Sequence, residues 1–188
     1  MRHRNATLGL ALFLLVLASP PLVAEAPLSP EALAKVAAEA TKKGDWAAFS
    51  RLMHPEALAE LKRIFRPIVA SEGAGAMRTA FFGTEKIEQF DALDDAAVFE
   101  RLMSNMTKNV PGMAEAMASS EMIIVGSLPE GDQLVHVVYH AGAKTEGMIF
   151  SKTSVMTFRR YQGEWRALLA GNIEGLAARL GQMARAGE

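Results

Sequence analysis

Four strand-like runs joined by short links constrain the fold more than any other feature of this sequence. The runs are apolar and rich in β-branched residues, as strands are, and they begin at Glu121, Gln133, Met148 and Glu164. Turn-forming or glycine-rich sequences separate them: Pro129 to Asp132, Ala141 to Gly147 and Tyr161 to Gly163. Because parallel strands need a long crossover, these links predict an antiparallel sheet of about four strands.

Side chains alternate between the two faces of a strand, so the third run has one apolar face that we expect to face the core. Its members are Met148, Phe150, Met156 and Phe158. We expect the opposite face to be partly wet; it carries Thr153, Val155, Thr157 and Arg159.

Lys152 lies on the apolar face of the third run. A buried lysine is costly unless it is paired, and desolvation would lower its pKa toward a useful range. We therefore expect Lys152 to be a cavity residue that holds an anionic ligand or acts as a base. The alternative is an edge position or a bulge that turns it to solvent.

The first 26 residues have the pattern of a secretory signal peptide. Arg2 and Arg4 precede an apolar core, and Ala24-Glu25-Ala26 has the small-x-small form of a cleavage site, so the cut falls after Ala24 or after Ala26. An uncleaved membrane anchor is the alternative, but the core is shorter than the ~20 residues that span a bilayer. The chain has no cysteine for lipid attachment. We predict a secreted or periplasmic protein with no stable membrane anchor after cleavage.

The remaining residues, 27–188, suit one domain. Removing Arg2, Arg4 and Glu25 from the 20 basic and 21 acidic residues leaves 18 and 20, and this near balance argues against a nucleic-acid partner. Without cysteine there is neither a disulfide framework nor thiol chemistry, so burial must supply the stability.

Helix signals precede the strands. Ser29-Pro30, Asp45, His54-Pro55 and either Asp94 or Asp95 each match a helix start, and a further helix follows the last strand. The predicted fold class is α+β: N-terminal helices packed on a curved antiparallel sheet, with a C-terminal helix. Segment 71–118 is either a lid or scaffold.

Two local patterns carry a resemblance. Gly44-Asp45-Trp46-Ala47-Ala48-Phe49 is followed by Leu52-Met53-His54-Pro55, and the last strand carries Gly163-Glu164-Trp165-Arg166. With the order of helices and strands, they resemble the nuclear-transport-factor-2-like superfamily, a cystatin-like α+β cone. The resemblance implies a cone-shaped cavity under the helices, and a homodimer through the outer sheet face. Members of that superfamily include isomerases, dehydratases, polyketide cyclases and cargo-binding modules, so fold does not settle function.

No set of metal ligands is evident. His136 and His140 share a face of one strand but lie ~13 Å apart, and zinc needs three or four ligands. Methionines at helical spacing, such as Met103, Met106 and Met117, are better explained as core filling or as lining of an adaptable apolar pocket than as soft-metal ligands. We predict no metal and no cofactor.

The sequence therefore favours an exported module that binds a small apolar or amphipathic molecule. Tyr139 and His136 alternate in the second run, so at most one of them faces the cavity. The candidate cavity residues are Trp46, His136, Tyr139, Phe150, Lys152, Met156 and Trp165. Two alternatives stay open: a small acid–base enzyme of the isomerase, dehydratase or cyclase type, and a homodimerising protein-interaction domain.

Overall fold

A computed structural model of the chain describes residues 27–145, 148–171 and 173–186. In this part, seven helices precede the sheet: α1 Pro30–Lys43, α2 Trp46–Leu52, α3 Pro55–Val69, α4 Gly75–Phe82, α5 Ile87–Asp91, α6 Asp95–Asn109 and α7 Met113–Ala118. The strands are β1 Glu121–Glu130, β2 Leu134–Thr145, β3 Met148–Tyr161 and β4 Glu164–Ala167, and α8 Ile173–Ala186 follows them. The predicted α+β order is confirmed. The predicted signal peptide lies outside the described residues.

The helix starts are capped by the side chains that the sequence indicates. Ser29 Oγ accepts from the Ala32 amide at 3.2 Å, and Asp45 Oδ1 accepts from the Ala48 amide at 2.9 Å. His54 caps α3 in the same way, because its Nδ1 accepts from the Glu56 amide at 3.2 Å and Pro55 follows it. Each cap satisfies an amide that has no partner inside the helix. The prediction that His54-Pro55 marks a helix boundary is confirmed.

The four strands form one antiparallel sheet in the order β1-β2-β3-β4. The register of β1 against β2 shifts at Val125, which is a β-bulge. The β3–β4 turn has two residues with positive φ, Gln162 at 52° and Gly163 at 84°, as two-residue hairpin turns require.

The link predicted from Ala141 to Gly147 was wrong in its extent. β2 continues to Thr145, and β3 pairs with it from Met148 onward, so that Ala141 lies opposite Lys152. A glycine such as Gly142 has low strand propensity, but pairing with a neighbouring strand overrides that local preference. Residues 146–147 lie outside the described residues.

The buried apolar residues form two clusters. One joins the inner face of the sheet to α1 and contains Val135, Val137 and Phe158 together with Leu33 and Ala34. This inner face is the one predicted from Met148, Phe150, Met156 and Phe158, but Phe150 is half-exposed rather than in the core. The sheet is thus covered by a helix on one face, which satisfies the requirement that an apolar face be buried against another element.

The second cluster is helical. Its fully buried side chains come from α3, α4, α5 and α6, and they include Phe65, Phe82, Phe90 and Leu102. Phe82 packs edge-on against both other phenylalanines, with ring centroids 5.7 Å from Phe65 and 5.0 Å from Phe90. Because α4, α5 and α6 lie within segment 71–118, most of that segment is scaffold.

The link between α2 and α3 connects the helices to the far edge of the sheet. Met53 forms a parallel bridge with Ala167, and the His54 amide donates to the Ala167 carbonyl at 2.8 Å. Immediately after Ala167 the chain leaves the sheet, with a last bond of 2.8 Å from the Leu168 amide to the Thr157 carbonyl. The edge of β3 before Thr157 is therefore not paired with β4.

Within the described ranges, no helix has the length and apolar character needed to cross a membrane.

Candidate ligand cavity

A cavity of about 490 Å³ lies where the helices meet the middle of β3 and the segment that follows β4. Helices α2, α6, α7 and α8, strands β2 and β3, and residues 168–171 all contribute to its lining. The cavity exists because β4 ends at Ala167, so that the sheet edge at Val155–Thr157 faces the helices directly.

Three aromatic rings form one wall. Trp46 and Phe49 come from α2 and Phe99 comes from α6. The Phe49 and Phe99 rings stack with centroids 5.4 Å apart, and Trp46 lies edge-on to Phe99 at 6.3 Å. Offset and edge-to-face contacts of this kind stabilise aromatic clusters, so the three rings support one another in this wall.

Methionine side chains make up much of the remaining wall. Five of them contribute: Met53, Met103, Met106, Met117 and Met156. The Thr107 hydroxyl oxygen lies 3.4 Å from Met117 Sδ, which ties α7 to α6. Methionine is unbranched and polarizable, and so it adapts to irregular shapes. The prediction that these methionines are core filling or apolar lining fits this position.

Tyr139 is the main polar group of the lining. It is half-buried, and burial raises the pKa of its phenol against the opposing effect of the neighbouring Ser154 side chain. The phenol is therefore neutral at physiological pH. Thr41 also borders the cavity, but its hydroxyl donates to the Ala37 carbonyl at 2.9 Å. No charged side chain occurs among the described residues of the lining.

The structure brings together three of the seven candidate residues. Trp46, Tyr139 and Met156 line the cavity. His136 does not, as expected from its alternation with Tyr139. Phe150 and Trp165 also lie outside the lining: Phe150 is half-exposed, and Trp165 packs with the sheet core, with the Arg160 guanidinium 4.1 Å from its ring centroid. These positions show which of the seven residues border the cavity and do not by themselves show contact with a ligand.

The expectation that Lys152 is a buried cavity residue is corrected. Lys152 is exposed, and so are its neighbours Phe150, Ser151 and Thr153, which lie on both faces of β3. Alternation assigns Lys152 to the inner face, opposite Ala141, but this end of β3 stays exposed on that face as well. The alternative of a solvent-facing lysine is the right one.

The histidines of β2 belong to the outer face of the sheet. His136 lies 3.0 Å from the Thr157 hydroxyl through Nδ1 and 2.8 Å from Glu130 Oε2 through Nε2. His140 Nδ1 lies 3.0 Å from the Thr153 hydroxyl. The described residues contain no group of three histidine, aspartate or glutamate side chains that could hold a metal ion.

Several lining residues were not singled out from the sequence. Phe49 and Phe99 belong to apolar stripes that the helical spacing predicts, but a stripe does not tell which members border an empty space. Leu168, Leu169 and Ile173 lie where the chain leaves the sheet. The only feature of the sequence that points to these three residues is that the segment after the last strand is apolar.

Comparisons with known proteins identify no family for this chain. No family model matches it, and no curated protein matches it significantly. Two solved structures are similar to this chain. A SEC-C motif containing protein from Rhodopseudomonas palustris has 16% identity over 75% of this chain and 76% of that chain, with a TM-score of 0.41. An NTF-2 like protein of unknown function from Shewanella oneidensis has 11% identity over 72% of this chain and 88% of that chain, with a TM-score of 0.39. At such low TM-scores, neither likeness establishes a family or a function.

Proposed function

We propose that this chain is an exported binding module that holds a small, mostly apolar molecule in the cavity. The observation that carries the proposal is the cavity itself. Its volume of about 490 Å³ falls within the roughly 300–1,000 Å³ of small-molecule sites. Its aromatic and methionine walls with a few polar groups, chiefly Tyr139, match the usual composition of such sites.

The lining favours binding over acid–base catalysis. An isomerase or dehydratase needs a carboxylate or histidine and a second polar group within hydrogen-bond reach of the substrate. Among the described lining residues, Tyr139 is the only one that titrates. The other titratable candidates from the sequence, His136 and Lys152, lie outside the lining.

Native mass spectrometry of the protein from its own source tests the proposal. We expect a mass excess that disappears when the same sample is denatured. The variant Leu169→Trp places a larger side chain in the lining, so it should lose that excess. Leu128→Trp is the matched control, because Leu128 is 65% exposed on the sheet and outside the lining. Equal retention of the ligand by both variants would contradict binding in this cavity.

The proposed export depends on the signal peptide pattern of residues 1–26. The N-terminus of the mature protein, sequenced from the secreted or periplasmic fraction, would begin at Glu25 or Pro27. A full-length chain in the membrane fraction would support an uncleaved anchor instead.

A homodimer through the outer face of the sheet is a second candidate, and it is compatible with ligand binding. Exposed apolar side chains favour it: Ile123 is 64%, Val125 is 58% and Leu128 is 65% exposed on β1, and Val155 of β3 is 50% exposed. Ile123, Leu128 and Val155 lie on the face opposite the α1-covered side. Exposed apolar groups clustered in this way are typical of protein interaction surfaces.

A further inference from the structure

The cavity offers a ligand hydrogen bonds but no counter-charge. Its described lining has no lysine, arginine, histidine, aspartate or glutamate. The cation that the sequence suggests as an anchor for an anion, Lys152, is exposed and outside the lining. A carboxylate or sulfonate moved into this cavity would lose hydration without gaining a charged partner, which is strongly unfavourable.

Tyr139 and Ser154 lie directly opposite each other on the inner face of β2 and β3, which places their hydroxyl-bearing side chains side by side. Two hydroxyl groups carry two protons, and a bond between them would use one. If Ser154 donates, the Tyr139 hydroxyl is a free donor toward the cavity. If Tyr139 donates, its oxygen still accepts. A hydroxyl group on a ligand, which can donate and accept, satisfies the pair in either arrangement.

We propose that the cavity selects neutral amphiphiles that carry a hydroxyl group, that this group hydrogen-bonds to Tyr139 of the Tyr139–Ser154 pair, and that the cavity rejects the corresponding anions. The ligand's apolar part lies against the wall of Trp46, Phe49 and Phe99. The inference rests on the proposed binding function and assigns the chemical class of its ligand.

Displacement of the neutral fluorescent probe N-phenylnaphthylamine tests the inference on the purified mature protein. Decanol and decanoate are matched competitors, since they share chain length and differ in the end group. At neutral pH, we expect decanol to displace the probe at concentrations about tenfold or more below those that decanoate requires.

Variants then locate the selective contact. Tyr139→Phe keeps the ring and removes the hydroxyl, so the affinity for decanol should fall about fivefold or more while probe binding is retained. Tyr161→Phe is the matched control, because Tyr161 is the other tyrosine of the chain and packs against His54 outside the cavity. The melting temperatures of both variants show whether any loss comes from unfolding.

The outcomes separate the two proposals. If the probe does not bind, or if Leu169→Trp binds it as well as the unaltered protein does, the proposed cavity function fails and the ligand class fails with it. If the probe binds in the cavity but decanoate competes as well as decanol, or Tyr139→Phe leaves decanol binding unchanged, the ligand class alone is overturned. Selective competition by decanol that depends on Tyr139 supports both.

Discussion

Tyr139 and Lys152 lie on the same face of the sheet on neighbouring strands, yet only Tyr139 borders the cavity. The partner of Tyr139 is Ser154, whereas Lys152 lies opposite Ala141, two residues farther along each strand. Alternation along a strand predicts the face of a side chain, but burial also depends on what covers that face. Sequence reasoning therefore gave the right face for Lys152 and the wrong environment.

His54 is the residue for which the structure predicts a pH effect. It is buried, it caps α3, and its ring centroid lies 5.1 Å from that of Tyr161. Burial is the main cause that lowers the pKa of His54 below the ordinary 6.5, with Glu56 acting in the opposite direction. The unfolded chain therefore takes up this proton at a higher pH than the folded chain does. The stability that the neutral form of His54 contributes is fully present above the ordinary pKa of 6.5, and it is lost as the pH falls through the lowered pKa of His54 in the folded chain.

The test compares the urea midpoints of the unaltered protein and His54→Asn at about pH 7.5 and about pH 5.5. Asparagine keeps a capping acceptor and does not titrate in this range. We expect acidification to lower the midpoint of the unaltered protein more than that of the variant. Parallel losses in both proteins would show that His54 makes no contribution to the pH dependence.

At the scale of elements, the hairpin between β3 and β4 depends on backbone geometry. Gly163 has φ of 84°, and a Cβ added there would meet nothing within 4 Å. The cost of Gly163→Ala is thus backbone strain alone, which we expect to lower the free energy of unfolding by about 1 kcal/mol or more.

Gly126→Ala is the matched control for this turn. Gly126 lies in β1 without positive φ, and a Cβ there also meets nothing within 4 Å. Because alanine restricts the unfolded chain, this variant should be neutral or slightly more stable. Equal denaturation midpoints for the two alanine variants would contradict the strain argument.

Helix starts and strand order were predictable because caps and turns are local. Ser29, Asp45 and His54 act through amides two or three residues away, and Gly163 acts within its own turn. The extension of β2 to Thr145 was not predictable, because it depends on pairing with β3. The cavity was predictable only as part of a resemblance, since its position follows from the point where β4 ends.

At the scale of the whole molecule, the described residues form two apolar clusters rather than one, and the outer face of the sheet belongs to neither. Its exposed apolar side chains lead to a prediction about assembly. If the outer face pairs two copies, Leu128→Asp places a charge in the interface and should weaken the dimer about tenfold or more. Analytical ultracentrifugation over a range of protein concentrations measures this.

Leu28→Asp is the control for the dimer experiment. Leu28 is 47% exposed but precedes α1 and does not belong to the sheet. We expect Leu28→Asp to associate as the unaltered protein does. A protein that is monomeric throughout, or two aspartate variants that behave alike, would exclude pairing through Leu128.

The methionines of the cavity wall make the molecule sensitive to oxidation at sulfur, although it has no cysteine. Oxidation of a thioether to the sulfoxide makes a flexible apolar side chain polar and chiral. At Met103, Met106 or Met117 this would make part of the apolar wall polar without breaking the chain. If the proposed ligand fills the cavity, it would cover these sulfur atoms, and we then expect an occupied cavity to resist peroxide longer than an empty one.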